Sequence, residues 1–121
     1  MGLAFKSGTD DIRESASMKL IKLLIKNNFI VNVHDPLAIM NTKKIFGDKI
    51  FYHESIKKCL EKTNCCAILT DSIEYKKLSQ AIFEKNMNYP LVIDTRRIFE
   101  RDNFKKIKLI SFGMNIDKTN Y

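Results

Sequence analysis

Cys65-Cys66-Ala67-Ile68-Leu69 is an unbroken apolar run closed at once by the polar turn Thr70-Asp71-Ser72. A run this short cannot make a useful buried helix, and its lack of alternation marks a strand buried on both faces, the signature of a parallel sheet. Pro90-Leu91-Val92-Ile93-Asp94, closed by Thr95-Arg96-Arg97, repeats the pattern. Between the two, residues 74–85 carry Leu78, Ala81 and Ile82 at helical spacing. Strand, helix and strand in that order predict a crossover unit with both strands parallel.

Working outward, the alternation continues in both directions. Met18, Ile21, Leu24 and Ile25 recur at helical spacing while Lys19, Lys22 and Lys26 fall elsewhere, which predicts a helix over residues 15–28 capped by Asp11 or Ser15. Phe29-Ile30-Val31-Asn32-Val33 reads as a strand stopped by His34-Asp35-Pro36, because Pro36 has no N–H to give a ladder. Residues 39–46 and 55–62 read as helices, and residues 50–52 and 107–112 as strands. The fold class expected is α/β, a Rossmann-like, doubly wound and mainly parallel sheet with helices on both faces. Ligands gather at the carboxyl ends of such strands, here the loops at residues 5–11, 34–37, 70–72 and 94–97. Residues 117–121 are expected to fray.

With 121 residues, 45% of them hydrophobic, the chain suffices for one domain spanning residues 1–121. The net charge of +7 invites a nucleic-acid reading, but 17 of the 21 cations are lysines and only Arg13, Arg96, Arg97 and Arg101 are arginines. Planar guanidinium groups serve phosphate and base recognition better, and no nucleic-acid motif accompanies the lysine pairs. Neither nucleic acid nor a membrane is therefore expected as a partner. The thiols Cys59, Cys65 and Cys66 suit a reducing compartment, and no signal pattern or membrane-length apolar run is present, so a cytoplasmic location is expected.

Candidate chemistry concentrates in the predicted loops. Gly2 and Gly8 flank the first turn without forming a dinucleotide fingerprint, but Lys6 beside backbone N–H groups suits either an anion or a solvated loop. Arg13, among Asp10, Asp11 and Glu14, is either an ion-pair partner or a ligand contact. Arg96 and Arg97 at a strand's carboxyl end suit a phosphate or Asp94. His34 and His53 have no nearby cysteine, so no metal site is expected. Cys65 and Cys66 read as core residues, and no catalytic group is expected in the chain.

Gly2-Leu3-Ala4-Phe5-Lys6-Ser7-Gly8-Thr9-Asp10-Asp11-Ile12-Arg13-Glu14-Ser15 closely resembles the opening of the C-terminal, UDP-binding domain of the UDP-glucose/GDP-mannose dehydrogenase family. The resemblance continues through Val33-His34-Asp35-Pro36, Ile68-Leu69-Thr70-Asp71 with Glu74-Tyr75, and Val92-Ile93-Asp94-Thr95-Arg96. It implies an NAD-dependent nucleotide-sugar 6-dehydrogenase of which this is the nucleotide-sugar-binding part, without activity alone. By position it implies that Phe5, Lys6 and Arg96 contact a UDP-sugar and that Arg13 reaches toward NAD held mainly by other domains. In that family the first strand begins several residues earlier, so residues 1–5 are expected to form only a stub of a truncated first strand, or the gap to be filled by another segment or chain. An interaction module that docks on a separate dehydrogenase core, or pairs with a second copy through its sheet edge, is the alternative expectation.

Overall fold

The computed structural model describes residues 1–113. The expected frayed end at residues 117–121 lies outside them. Five short strands form, β1 (Asn32–Val33), β2 (Phe51–Tyr52), β3 (Cys66–Ile68), β4 (Leu91–Asp94) and β5 (Lys108–Ser111). They alternate with helices α1 (Ala16–Lys26), α2 (Ile39–Phe46), α3 (Ile56–Leu60), α4 (Ile73–Lys76) and α5 (Gln80–Asn86). β1 pairs with β2 and, separately, β3 with β4 and β4 with β5, every pair parallel.

Residues 1–3 join the two sheets. The Met1 ammonium donates to the Ala67 carbonyl (2.8 Å), and Leu69 N–H donates to the Met1 carbonyl (2.9 Å). On the other side, Gly2 N–H donates to the His34 carbonyl (2.9 Å). The expected stub is thus the central element, giving the order β2, β1, residues 1–3, β3, β4, β5. Gly2 is required there: its φ is +93°, and an added Cβ would stand 2.6 Å from Thr70 Oγ1 and 2.7 Å from Thr70 N.

This pairing places Met1, His34 and Ile68 on one face of the sheet, and strand alternation then puts Val31 and Val33 on the other. The buried residues divide accordingly. Val31 and Val33 pack with Met18 and Ile21 of α1 and Phe46 of α2, whereas Met1, Cys66, Ile68 and Val92 pack with Cys59 and Leu60 of α3, Tyr75 of α4 and Phe83 of α5. Helices therefore cover both faces, in Rossmann-like fashion. Phe83, Phe99 and Phe104 close the second cluster, with ring centroids 4.5 to 6.3 Å apart.

Several boundaries differ from the sequence-based ones. The strand expected at residues 29–33 is reduced to Asn32–Val33 because Phe29 N–H is spent on the Leu24 carbonyl (3.0 Å), closing α1 behind Asn28 at φ 63°. The helix expected over residues 74–85 is two helices, since Ser79 is extended (φ −95°, ψ 160°) and starts α5 afresh. Cys65 is exposed, outside the core, because it precedes the strand proper. Cys59 and Cys66 are buried as expected, and burial pushes the Cys66 thiol up to about 12.

Pro36 has no N–H to give the Gly2 carbonyl, which accepts from the Ser17 hydroxyl instead, and the chain on either side of this gap is gathered by Asp35. Its Oδ2 accepts from Leu3 N–H (2.7 Å) and Ala4 N–H (3.2 Å), and its Oδ1 from Leu37 N–H (2.8 Å) and Ala38 N–H (2.9 Å). Substituting Asp35→Asn turns two N–H donors toward an amide NH₂, and each buried unsatisfied group costs about 1 to 3 kcal/mol. Urea unfolding of Asp35→Asn is expected to show a loss of about 2 to 4 kcal/mol; an unchanged midpoint would contradict this assignment.

Candidate functional site

The loops at the carboxyl ends of residues 1–3, β1, β3 and β4 lie side by side and are shaped mostly by their own backbone. Phe5 N–H donates to the Asp11 carbonyl (2.7 Å), pinching residues 6–10 into a loop, and Asn41 Nδ2 donates to the Asp10 carbonyl (2.9 Å) from α2. Below it, Ser15 Oγ donates to the Leu3 carbonyl (2.8 Å) and Ser17 Oγ to the Gly2 carbonyl (2.6 Å). Ser15 Oγ also accepts from Ser17 N–H (3.2 Å) and so caps α1. The result is a rigid base from which Phe5, 58% exposed, and the exposed Lys6 project.

At the end of β4, Asp94 is fully buried. Its Oδ1 accepts from Arg96 N–H (3.1 Å) and its Oδ2 from Phe99 N–H (3.0 Å), so the carboxylate folds the loop back on itself. The two arginines separate at this point. Arg97, at φ 54°, donates from Nε to the Phe112 carbonyl (2.7 Å) and from Nη2 to the Gly113 carbonyl (2.8 Å), tying the loop to the end of β5. The exposed Arg96 guanidinium has no hydrogen bond among the described residues.

Asp71 connects the first loop to the last. The Ser7 hydroxyl chiefly, and the charges of Lys76 and Arg96 to a smaller degree, hold its carboxyl below the usual carboxylate range. Ser7, Asp71 and Arg96 therefore share one surface. A small cleft beside it is lined by Ala4, Ser7, Gly8, Thr9, Asp35, Thr70 and Ser72 among others, and the hydroxyl oxygen of Thr70, a residue 1% exposed, has no partner among the described residues. A larger cavity of about 460 Å³, lined in part by Lys76, Leu78, Gln80, Phe99 and Phe104, contains none of Phe5, Lys6, Arg13 or Arg96.

Arg13 lies apart from these groups, 87% exposed. Its Nε and Nη2 donate to the two oxygens of Asp11 (3.0 and 2.8 Å), and that pairing holds the Asp11 carboxyl at about 2. Of the two readings open for Arg13, the ion pair is the one seen. No group of three or more metal-ligating side chains occurs among the described residues, and no helix there is long and apolar enough to cross a membrane.

Sequence reasoning did not find Asp35 as an organiser of these loops, nor Asp71 beside Ser7. An acid immediately before proline at a strand's end is an Asx-turn signal and could have pointed to Asp35. Nothing in the sequence marks the link between Asp71 and Ser7, which are 64 positions apart (71 − 7 = 64) and meet only in the folded sheet.

Comparison with known proteins decides the family. The model of the UDP-glucose/GDP-mannose dehydrogenase family, UDP binding domain, matches residues 1–101. The chain belongs to this family. A UDP-glucose 6-dehydrogenase from Rickettsia felis is 33% identical over 97% of the chain and 27% of its own length. The structure of a UDP-glucose dehydrogenase from Pyrobaculum islandicum superposes with a TM-score of 0.74 at 29% identity, covering 91% of this chain and 23% of that one. The UDP-N-acetyl-mannosamine dehydrogenase Cap5O from Staphylococcus aureus gives 0.75 at 25% identity, covering 93% and 25%. The chain thus spans about a quarter of the length of these relatives, and the part it spans is the family's UDP binding domain.

His34, next to Asp35, is 3% exposed. Its Nδ1 lies 2.7 Å from the Tyr75 hydroxyl, which also donates to the His34 carbonyl (3.0 Å), while its Nε2 is 3.6 Å from Glu74. Burial lowers the ring's pKa and outweighs the upward pull of Glu74 and Asp35. The neutral ring is therefore the folded form, so its contribution to stability is present above about pH 6.5 and is lost as pH falls toward the lowered folded value. Between pH 7.5 and 5.5 the denaturation midpoint is expected to fall in the wild type and to fall less in His34→Gln; parallel slopes would remove His34 from the account.

Proposed function

We propose that the chain is the nucleotide-binding part of an NAD-dependent UDP-sugar 6-dehydrogenase, with Phe5, Lys6 and Arg96 contacting the UDP-sugar. The observation that carries this reading is the division between the two arginines at the end of β4. Arg97 is consumed by backbone carbonyls, while Arg96 stands exposed on a surface shared with Ser7 and Asp71. A guanidinium and an ammonium at the carboxyl ends of different strands suit a diphosphate, and Phe5 offers a flat apolar surface for a base or sugar.

Arg13, braced by Asp11, would face NAD held by the rest of the dehydrogenase, and it keeps N–H donors beyond the two given to Asp11. NAD supplies the oxidising chemistry when bound; this chain's part is to hold and orient the substrate. Oxidation itself is assigned to the remainder of the enzyme: Cys59 and Cys66 are buried with their thiols pushed up, and the exposed Cys65 lies at the amino end of β3, away from the loops described above.

Calorimetric titration with UDP tests the reading. Lys6→Ala and Arg96→Ala are each expected to weaken binding roughly tenfold, about 1.4 kcal/mol, and Cys65→Ser to leave it unchanged. Absence of binding by the wild type at millimolar UDP, or full affinity in both variants, would overturn it.

A further inference from the structure

The two cations assigned to a diphosphate, Lys6 and Arg96, stand on loops that are not neighbours in the sheet. Leu69 N–H donates to the Met1 carbonyl (2.9 Å), which sets β3 beside residues 1–3. On its other side β3 pairs with β4, and Thr95 strengthens that junction by donating from its N–H and its Oγ1 to the Ile68 carbonyl (3.2 and 2.7 Å). The loop after β3 therefore emerges between the loop of Lys6 and the loop of Arg96. That loop is Thr70-Asp71-Ser72, and its charged residue is an acid.

Asp71 is not spent on the flanking cations. The ion pairs among the described residues join Arg13 to Asp11 and His34 to Glu74, so neither Lys6 nor Arg96 is within ion-pair distance of it. It accepts from the Ser7 hydroxyl and is held ionised at neutral pH chiefly by that bond. A carboxylate has about four acceptor sites on its two oxygens, so Ser7 leaves others open. Beside a diphosphate such a group repels the phosphate oxygens, and it contributes to binding only by accepting from a donor. A metal ion suits that place poorly, because no group of three or more metal-ligating side chains occurs among the described residues. The donors nearest the diphosphate of a UDP-sugar are the hydroxyls of the rings on either side of it.

We propose that Asp71 is a specificity-determining contact of this site, accepting hydrogen bonds from the vicinal hydroxyls of a sugar ring while Lys6 and Arg96 hold the adjoining diphosphate. The inference rests on the UDP-sugar reading above and adds to it the group that tells a sugar nucleotide from a bare diphosphate. Ser7 is the positioning residue, since its hydroxyl fixes the carboxylate from the first loop. The ribose and the hexose carry the same chemistry, and the ligands chosen for the test separate them.

The 121-residue chain and its Asp71→Ala variant are titrated calorimetrically with UDP, with dideoxy-UDP lacking both ribose hydroxyls, and with UDP-glucose. With the ribose as donor, the wild type is expected to bind UDP roughly tenfold more tightly than dideoxy-UDP, and the variant to bring that ratio to about one. With the hexose as donor, the roughly tenfold preference is for UDP-glucose over UDP, and the variant loses that ratio instead. A variant that only loosens the loop weakens all three ligands alike and keeps both ratios, which would overturn the proposal. Wild-type ratios near one would overturn it too. In either of those cases measurable UDP binding leaves the nucleotide reading standing, whereas no binding of UDP by the wild type removes both.

Discussion

Asp35 accepts N–H groups from two separate stretches, Leu3 and Ala4 on one side and Leu37 and Ala38 on the other, and the sheet's continuity depends on that arrangement. Residues 1–3 are the only main-chain link between the β1–β2 pair and the β3–β4–β5 sheet among the described residues, and they are held by few ladder bonds. A parallel ladder would continue with an N–H from position 36, but that position is proline. The Ser17 hydroxyl donates to the Gly2 carbonyl instead and Ser15 to that of Leu3, both from the side of α1, while the Asp35 carboxylate accepts the Leu3 and Ala4 N–H groups. Two side-chain systems thus satisfy backbone groups of residues 2–4 that no ladder bond reaches.

The same economy governs the candidate site. Two of the loops at the carboxyl end of the sheet are shaped by an acid bound to their own backbone, Asp35 after β1 and Asp94 after β4, so exposed cations need not hold these two in place. Arg97 is the exception, bridging to the end of β5, and its engagement sharpens the contrast with Arg96. The +7 charge of the chain resolves similarly: most of its cations are lysines spread along the sequence, and the exposed Lys6 and Arg96 stand at the carboxyl ends of strands.

Strand identity was legible for the runs around Ile68 and Val92, because burial in the middle of a parallel sheet demands continuous apolar side chains whatever the neighbours are. The run from Phe29 to Val33 misleads for a physical reason. Its residues have high strand propensity, but the Phe29 N–H completes the end of α1, and backbone hydrogen bonding, not side-chain preference, decides where the ladder begins. Ser79 splits a helically periodic stretch in the same way, through a local backbone choice that the spacing of Leu78, Ala81 and Ile82 does not reveal. Cys65 and Cys66 look equivalent as neighbours in an apolar run, yet only one is buried.

By itself the sequence determined the α/β class, the order of the elements, the loops to search and the resemblance of residues 2–15 to a dehydrogenase domain. These are local or periodic properties, set by side-chain polarity along the chain. Tertiary structure alone decided that residues 1–3 occupy the centre of the sheet, that Arg97 is tied to backbone carbonyls while the Arg96 guanidinium has no hydrogen bond among the described residues, and that Asp71 meets Ser7. Each of those depends on groups far apart in the chain being brought within hydrogen-bond or Coulomb range, and no spacing in the sequence encodes such a distance.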